Sequence, residues 1–135
     1  MPLVSRKAIL AIAAVVDVAL NAKNRPVSAR ALAARHKLPP RHLEPVLQAL
    51  VRAGILKGIR GPHGGYELGR ERKRISAEDI VRAAGETQDG PDAGPALALI
   101  EEVVRPALAD AERAFSTALA RVSIEDIARR AEDRK

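Results

Sequence analysis

The chain contains no cysteine. Structural disulfides, thiol catalysis and any metal or iron–sulfur centre held by thiolates are therefore excluded. Tyr66 and Phe115 are its only aromatic residues. That scarcity argues against stacking bases on aromatic side chains, as single-strand binders do. It leaves Ala, Leu, Ile and Val to build the core, a composition that suits closely packed helices. Long hydrophobic runs are missing too. The run Ala8–Leu20 follows Arg6 and Lys7 in the manner of a secretion signal, but Asp17 interrupts it, and it falls short of the roughly 20 apolar residues of a membrane span. Read at helical spacing, Ile9, Ile12, Ala13, Val16 and Leu20 form one face of a core helix.

Acidic residues are scarce in the front half. Residues 1–75 hold 15 Lys and Arg against 4 Asp and Glu, a balance of +11, and residues 76–135 hold 8 against 13, a balance of −5. The net charge of +6 therefore hides a basic module joined to an acidic one. A polyanion such as nucleic acid is the partner that a basic front half fits. At 135 residues the expectation is a domain of residues 1–75 that binds DNA and a helical region, 76–135, that links and dimerises.

The most informative stretch is Leu43–Arg70, LEPVLQALVRAGILKGIRGPHGGYELGR. Leu43, Val46, Leu47, Leu50 and Val51 recur three and four apart and predict an amphipathic helix. Gly54 stands at its C-terminal cap. The period then changes to two, predicting short strands over Ile55–Arg60 and Tyr66–Arg70 around the turn Gly61-Pro62-His63-Gly64-Gly65. Upstream, Ser28 caps a short helix, Ala29–His36, and Lys37-Leu38-Pro39-Pro40 is a turn. The predicted architecture is mainly α: a winged helix-turn-helix of three helices and a two-stranded β-hairpin wing. A long dimerisation helix and a short C-terminal helix follow.

In that layout the third helix enters the major groove with its N-terminal residues at base edges. Those residues are Arg41, His42 and Glu44. Arginine suits the two acceptors of guanine, and glutamate accepts from the amino group of cytosine. Pro45 is comfortable only in a first helical turn, so the regular helix is expected to begin near Arg41–Leu43. At the wing, Arg60 stands where a thin hairpin can enter a narrow minor groove, with Gly61, His63 and Gly64 around it. Arg6 and Lys7, at the start of the first helix, and Ser28 are candidates for phosphate contact. The glycines match neither nucleotide-binding pattern, GxxxxGK[ST] nor GxGxxG.

The pattern L-E-x-x-L-x-x-L-x-x-A-G-I-L, then R-G-P-x-G-G-Y-x-L, followed by Ile75, Ser76 and Asp79-Ile80, resembles the Rrf family of bacterial winged-helix regulators. That group includes IscR, NsrR and CymR. The resemblance is close over Leu3–Ala84 and is one of layout beyond. It implies a homodimeric transcription factor, usually a repressor, on a two-fold-symmetric operator, with Arg41, His42 and Glu44 on the recognition helix and Arg60 on the wing. Cluster-binding relatives carry three cysteines before the long helix. Here that region, residues 86–95, reads ETQDGPDAGP, so no iron–sulfur cluster and no other cofactor is expected. His36, His42 and His63 lie in the DNA-binding half and do not form a metal set.

In the back half, Ser76 to Asp79 has the form of a capping box and starts a helix that ends at Gly85. Leu97, Ile100, Val104, Leu108, Ala111, Phe115, Ala118 and Val122 then recur in steps of three and four, a seam fit for a second copy of the chain. Pro106 should divide that helix near Arg105. Ser123 to Asp126 forms a second capping box. The sequence reads as a cytoplasmic regulator that binds double-stranded DNA as a homodimer, with no membrane contact and with a small-molecule or protein effector left open. The alternative is a sensor or adaptor for a protein partner whose DNA binding is secondary. No paired nucleophile and base and no cofactor loop suggests an enzyme.

Overall fold

The computed structural model describes residues 4–23, 25–85 and 99–134. Its elements are α1 (Arg6–Asn21), α2 (Ala29–Arg35), α3 (Pro40–Arg52), β1 (Leu56–Ile59), β2 (Gly65–Leu68), a 3-10 turn (Arg72–Arg74), α4 (Ala77–Gly85), a π-helical segment (Ile100–Val104), α5 (Arg105–Ala120) and α6 (Ile124–Asp133).

α1 starts where Ser5 can cap it, the serine oxygen accepting from the Ala8 N–H at 3.1 Å. Its buried stripe is Ala8, Ala11, Ala14, Val15, Val18 and Ala19, the i, i+3, i+4, i+7 spacing of a core face. The face expected from the larger residues is a different one. Val16 is buried, but Ile12, Ala13 and Leu20 are half-buried and Ile9 is 50% exposed. The helix is apolar almost all round, and close packing selected its small residues. Alanines let α1 approach α3 and α4, while the bulkier face looks outward.

α3 begins at Pro40, not at Arg41–Leu43 as expected. Pro40 occupies the first turn, where its fixed φ is already helical and its missing N–H is not needed. Pro45 sits inside the helix on its exposed side, and the lost hydrogen bond to the Arg41 carbonyl faces solvent. Leu43, Val46, Leu47 and Leu50 are fully buried, as their spacing predicts.

α2 and α3 end in the same way with different residues. After α3, Gly54 takes φ +77°, its N–H reaching the Val51 carbonyl and the Ile55 N–H the Leu50 carbonyl, both at 3.0 Å. After α2, Lys37 takes φ +55°, and Leu38 bonds back to the Ala33 carbonyl at 3.0 Å. This left-handed closure turns the chain sharply. At α2 it sets the angle between the two helices of the pair.

The wing is a short antiparallel ladder, Leu56 opposite Leu68 through Ile59 opposite Gly65. A third piece of backbone joins it. Val27, just before α2, exchanges hydrogen bonds with Tyr66 at 3.0 and 2.8 Å. Gly65 makes this approach feasible, since a Cβ there would lie 2.4 Å from the Val27 carbonyl oxygen.

The two S-x-x-D boxes meet. Ser76 and Ser123 pair as an isolated bridge, with Ala77 N–H on the Val122 carbonyl (2.7 Å) and Ile124 N–H on the Ile75 carbonyl (2.8 Å). Each serine caps its own helix through the aspartate three residues on. α4 and α6 thus start side by side, and Ile80, Ala83, Ala84 and Ile124 enter the same core as α1 and α3. Arg72 binds Glu125 and brackets α6 against the 3-10 turn. That bond, with Arg129 beside it, holds the Glu125 carboxyl below the usual carboxylate range. The long helix is divided as expected. Pro106 has no N–H for the Glu102 carbonyl, and the chain runs as a π-helix to Val104 before α5 begins at Arg105.

Candidate nucleic-acid interface

The predicted contact residues come from four elements. Arg41, His42 and Glu44 are exposed at the start of α3, and Arg60 is exposed where the wing turn begins, with Gly61 and His63 exposed beside it and Gly64 half-buried. Neither Arg41 nor Arg60 forms an ion pair with a described residue. Arg6 is exposed in the first turn of α1 and Lys7 is half-buried. Ser28 is half-buried, its oxygen accepting from the Ala31 N–H at 3.0 Å. That leaves its hydroxyl proton free to be donated.

Neighbouring contacts join these elements into one surface. Arg60 and Gly64 share a notch of about 360 Å³ with Ser28 and Ala29. Tyr66, in the same notch, is coupled to α3: burial pushes its phenol up, and the negative charge of Glu44 pushes the same way. His42 shares a groove with Arg6 and Lys7. The start of α1, the start of α2, the start of α3 and the wing therefore adjoin.

One constellation went unread in the sequence. Asp17 is buried, and both of its oxygens are engaged: Arg35 binds them at 2.7 and 2.8 Å, and Asn21 donates at 3.1 Å. His36 Nε2 approaches at 3.2 Å. The carboxylate holds the Arg35 guanidinium more firmly protonated than usual, first through its hydrogen bond. Asp17 thereby ties α1 to the last residue of α2 and to the turn into α3. A lone acid inside an apolar helical run was the available signal.

Along the long helix, Leu108, Ala111 and Ala118 are exposed and Phe115 is half-buried. Val104, also exposed, ends the π-helical segment before it. Val122, expected on the same seam, lies instead in the turn after Ala120, exposed, with its carbonyl accepting from the Ala77 N–H. Leu97 and the Ile100 side chain lie outside the described residues, as does the cysteine-free stretch 86–95. Leu99 and Val103 extend the exposed apolar surface, at 58% and 56%.

A helix-turn-helix pair followed by a hairpin, with Arg41 exposed on the one and Arg60 on the other, defines a winged helix-turn-helix protein. The family pattern described as "Rrf2: Iron-dependent Transcriptional regulator" matches residues 4–130, and the chain belongs to that family of transcriptional regulators, not to a class of enzymes. A candidate HTH-type transcriptional regulator of Haemophilus influenzae is 40% identical over 76 residues, covering 56% of this chain and 51% of the relative. The chain thus aligns to about half the length of the curated relatives it matches. Among solved structures, T. potens IscR superposes with a TM-score of 0.76 at 26% identity, covering 98% of this chain and 90% of that one. CymR, the global cysteine regulator of B. subtilis, superposes with a TM-score of 0.68 at 28% identity, covering 95% and 97%.

Among the described residues, the iron in the family description finds no matching donor set. The sequence offers no thiolate, and the described residues contain no group of three or more His, Asp or Glu able to hold a metal ion. The residues present do not fit an iron–sulfur cluster. No described helix is long and apolar enough to cross a membrane.

Proposed function

We propose that the protein is a cytoplasmic transcriptional regulator, a repressor, that binds a two-fold-symmetric operator in double-stranded DNA as a homodimer. Residues 1–75 read the DNA and residues 76–135 link and dimerise. The observation that carries this reading is the adjacency of the exposed candidates: Arg6, Lys7 and His42 line one groove, Ser28 and Arg60 line another, and Glu44 of α3 lies near Tyr66 of the wing. With α3 in the major groove, Arg41 donates to the O6 and N7 of a guanine, and His42 and Glu44 face neighbouring base edges. Arg60 enters the adjacent minor groove, with Gly61 and Gly64 letting the backbone approach and His63 at the rim. Arg6, Lys7 and the Ser28 hydroxyl hold phosphates and fix the register. Two such surfaces are brought to one operator by packing Val104, Leu108, Ala111, Phe115, Ala118 and Val122 against the same residues of a second copy, with Leu97 and Ile100 continuing the seam.

The test is a duplex titration at several salt concentrations. Arg60→Ala should weaken binding by about 1–3 kcal/mol and relax preference at an A·T-rich minor-groove position. Arg6→Gln should reduce the salt slope by about one and leave site choice alone. An Arg60→Ala protein with unchanged affinity and unchanged preference, or an Arg6→Gln protein that selects another site, would contradict these assignments.

A further inference from the structure

The outward face of α1 and the start of α3 border a groove of about 710 Å³ whose apolar floor the DNA-binding reading does not use. Its floor is apolar: Ile9, Leu10 and Ala13 from α1, Leu38 from the turn, and Val46 from α3. Its polar lining is Arg6, Lys7, His36 and His42, and no carboxylate is among the residues that line it. The volume is that of a small-ligand site, and such sites pair an apolar wall with a few converging polar groups. His36 Nε2 is buried and lacks a hydrogen-bond partner among the described residues, though the Asp17 carboxylate lies 3.2 Å away.

We propose that this groove is an effector site for a small organic anion with an apolar body, a carboxylate on a short hydrocarbon chain or ring. The hydrocarbon covers Ile9, Leu10, Ala13 and Val46, and the carboxylate lies between Arg6 and His42, both exposed at the edge of the groove. Because His42 belongs to the surface proposed to face base edges, the inference rests in part on the DNA-binding reading. A ligand there draws His42 and Arg6 away from DNA, so ligand and DNA weaken each other by the same factor. His36 transmits the occupancy further. It ends α2 and touches the Asp17 group that fixes the turn into α3.

The test uses the full chain and octanoate as the probe, with 1-octanol as its uncharged counterpart. Calorimetry without DNA should show octanoate binding at one site per chain and at least tenfold weaker binding of octanol. Ala13→Leu fills the floor of the groove without touching the proposed DNA contacts. It should abolish octanoate binding while its DNA affinity and melting temperature stay at the wild-type values. In DNA titrations, saturating octanoate should lower the affinity of the wild type several-fold and leave Ala13→Leu unaffected. Absence of octanoate binding, equal binding of octanol, or full binding by Ala13→Leu would overturn the proposal. So would octanoate that splits dimers in a sedimentation run, since the groove would then be the seat of a second copy. A protein that binds octanoate in these ways but binds no DNA would instead overturn the regulator reading and leave the ligand site standing.

Discussion

Single residues decide several features that the chemistry depends on. Gly65 is the clearest case. Its backbone passes so close to Val27 that a methyl group would strike the Val27 carbonyl oxygen, and its φ of +156° is strained for any L side chain. Gly65→Ala should therefore cost about 2–3 kcal/mol and detach Val27 from the wing. A fall in the denaturant midpoint together with faster amide exchange at Tyr66 would confirm it; an unchanged midpoint would show that the strand pair relaxes without loss. The sequence marked Gly65 only as one more turn residue. The partner strand lies 38 residues earlier and consists of a single residue, and a lone valine after Pro26 carries no period by which to predict pairing. The exposed positions of Arg41, His42, Glu44 and Arg60, by contrast, could be expected beforehand, because each stands beside a plain local signal: a proline turn before a helix, or a glycine turn between strands.

Among elements, the angle between α2 and α3 controls where Arg41, His42 and Glu44 point. Two devices hold it. One is the left-handed closure at Lys37, and the other is the buried Asp17, which clamps Arg35 and Asn21 and sits beside His36. Removing one partner of such a group leaves the others unsatisfied, and Arg35 is 44% exposed, so its share is screened by solvent. Asp17→Ala should destabilise the fold by about 1–3 kcal/mol. It should also weaken DNA binding at temperatures where the variant is still folded. A variant with wild-type stability would mean that Arg35 and His36 are held by packing alone. Periodicity placed the helices well and misjudged one face. On α1 it selected the large residues as the buried face, whereas the helix is buried through Ala8, Ala11 and Ala14. When a helix is apolar nearly all round, spacing alone does not reveal which stripe the neighbours approach most closely. Pro45 misled in a similar way: it suggested a late start for α3, but an exposed proline loses its hydrogen bond on the wet side, and Pro40 sets the start.

For the molecule as a whole, the long helix leaves Val103, Val104 and Leu108 exposed in the single chain, at 56%, 41% and 53%. Contiguous apolar surface of this kind is what a partner covers. Leu108→Glu should yield monomers by sedimentation and, since two linked half-sites gain from effective concentration, reduce operator affinity about a hundredfold or more. Dimers that survive the substitution would place the interface elsewhere. The charge asymmetry between the halves was readable from composition; in the first half it includes the exposed Arg6, Arg41 and Arg60, whereas α5 itself carries two acids, Asp110 and Glu112, against two arginines, Arg105 and Arg113. The core, however, ignores that boundary: Ile80 and Ile124 pack with α1 and α3, which no tally of charges reveals. The central claim, that this surface reads sequence in duplex DNA as a symmetric dimer, is tested most directly by incubating the purified protein with sheared genomic DNA of its source at physiological salt and sequencing what is retained. Enrichment of one site with two-fold symmetry is the predicted result. Retention of DNA without enrichment of any site would show a protein that uses only its charge, and would contradict the roles assigned to Arg41, His42, Glu44 and Arg60.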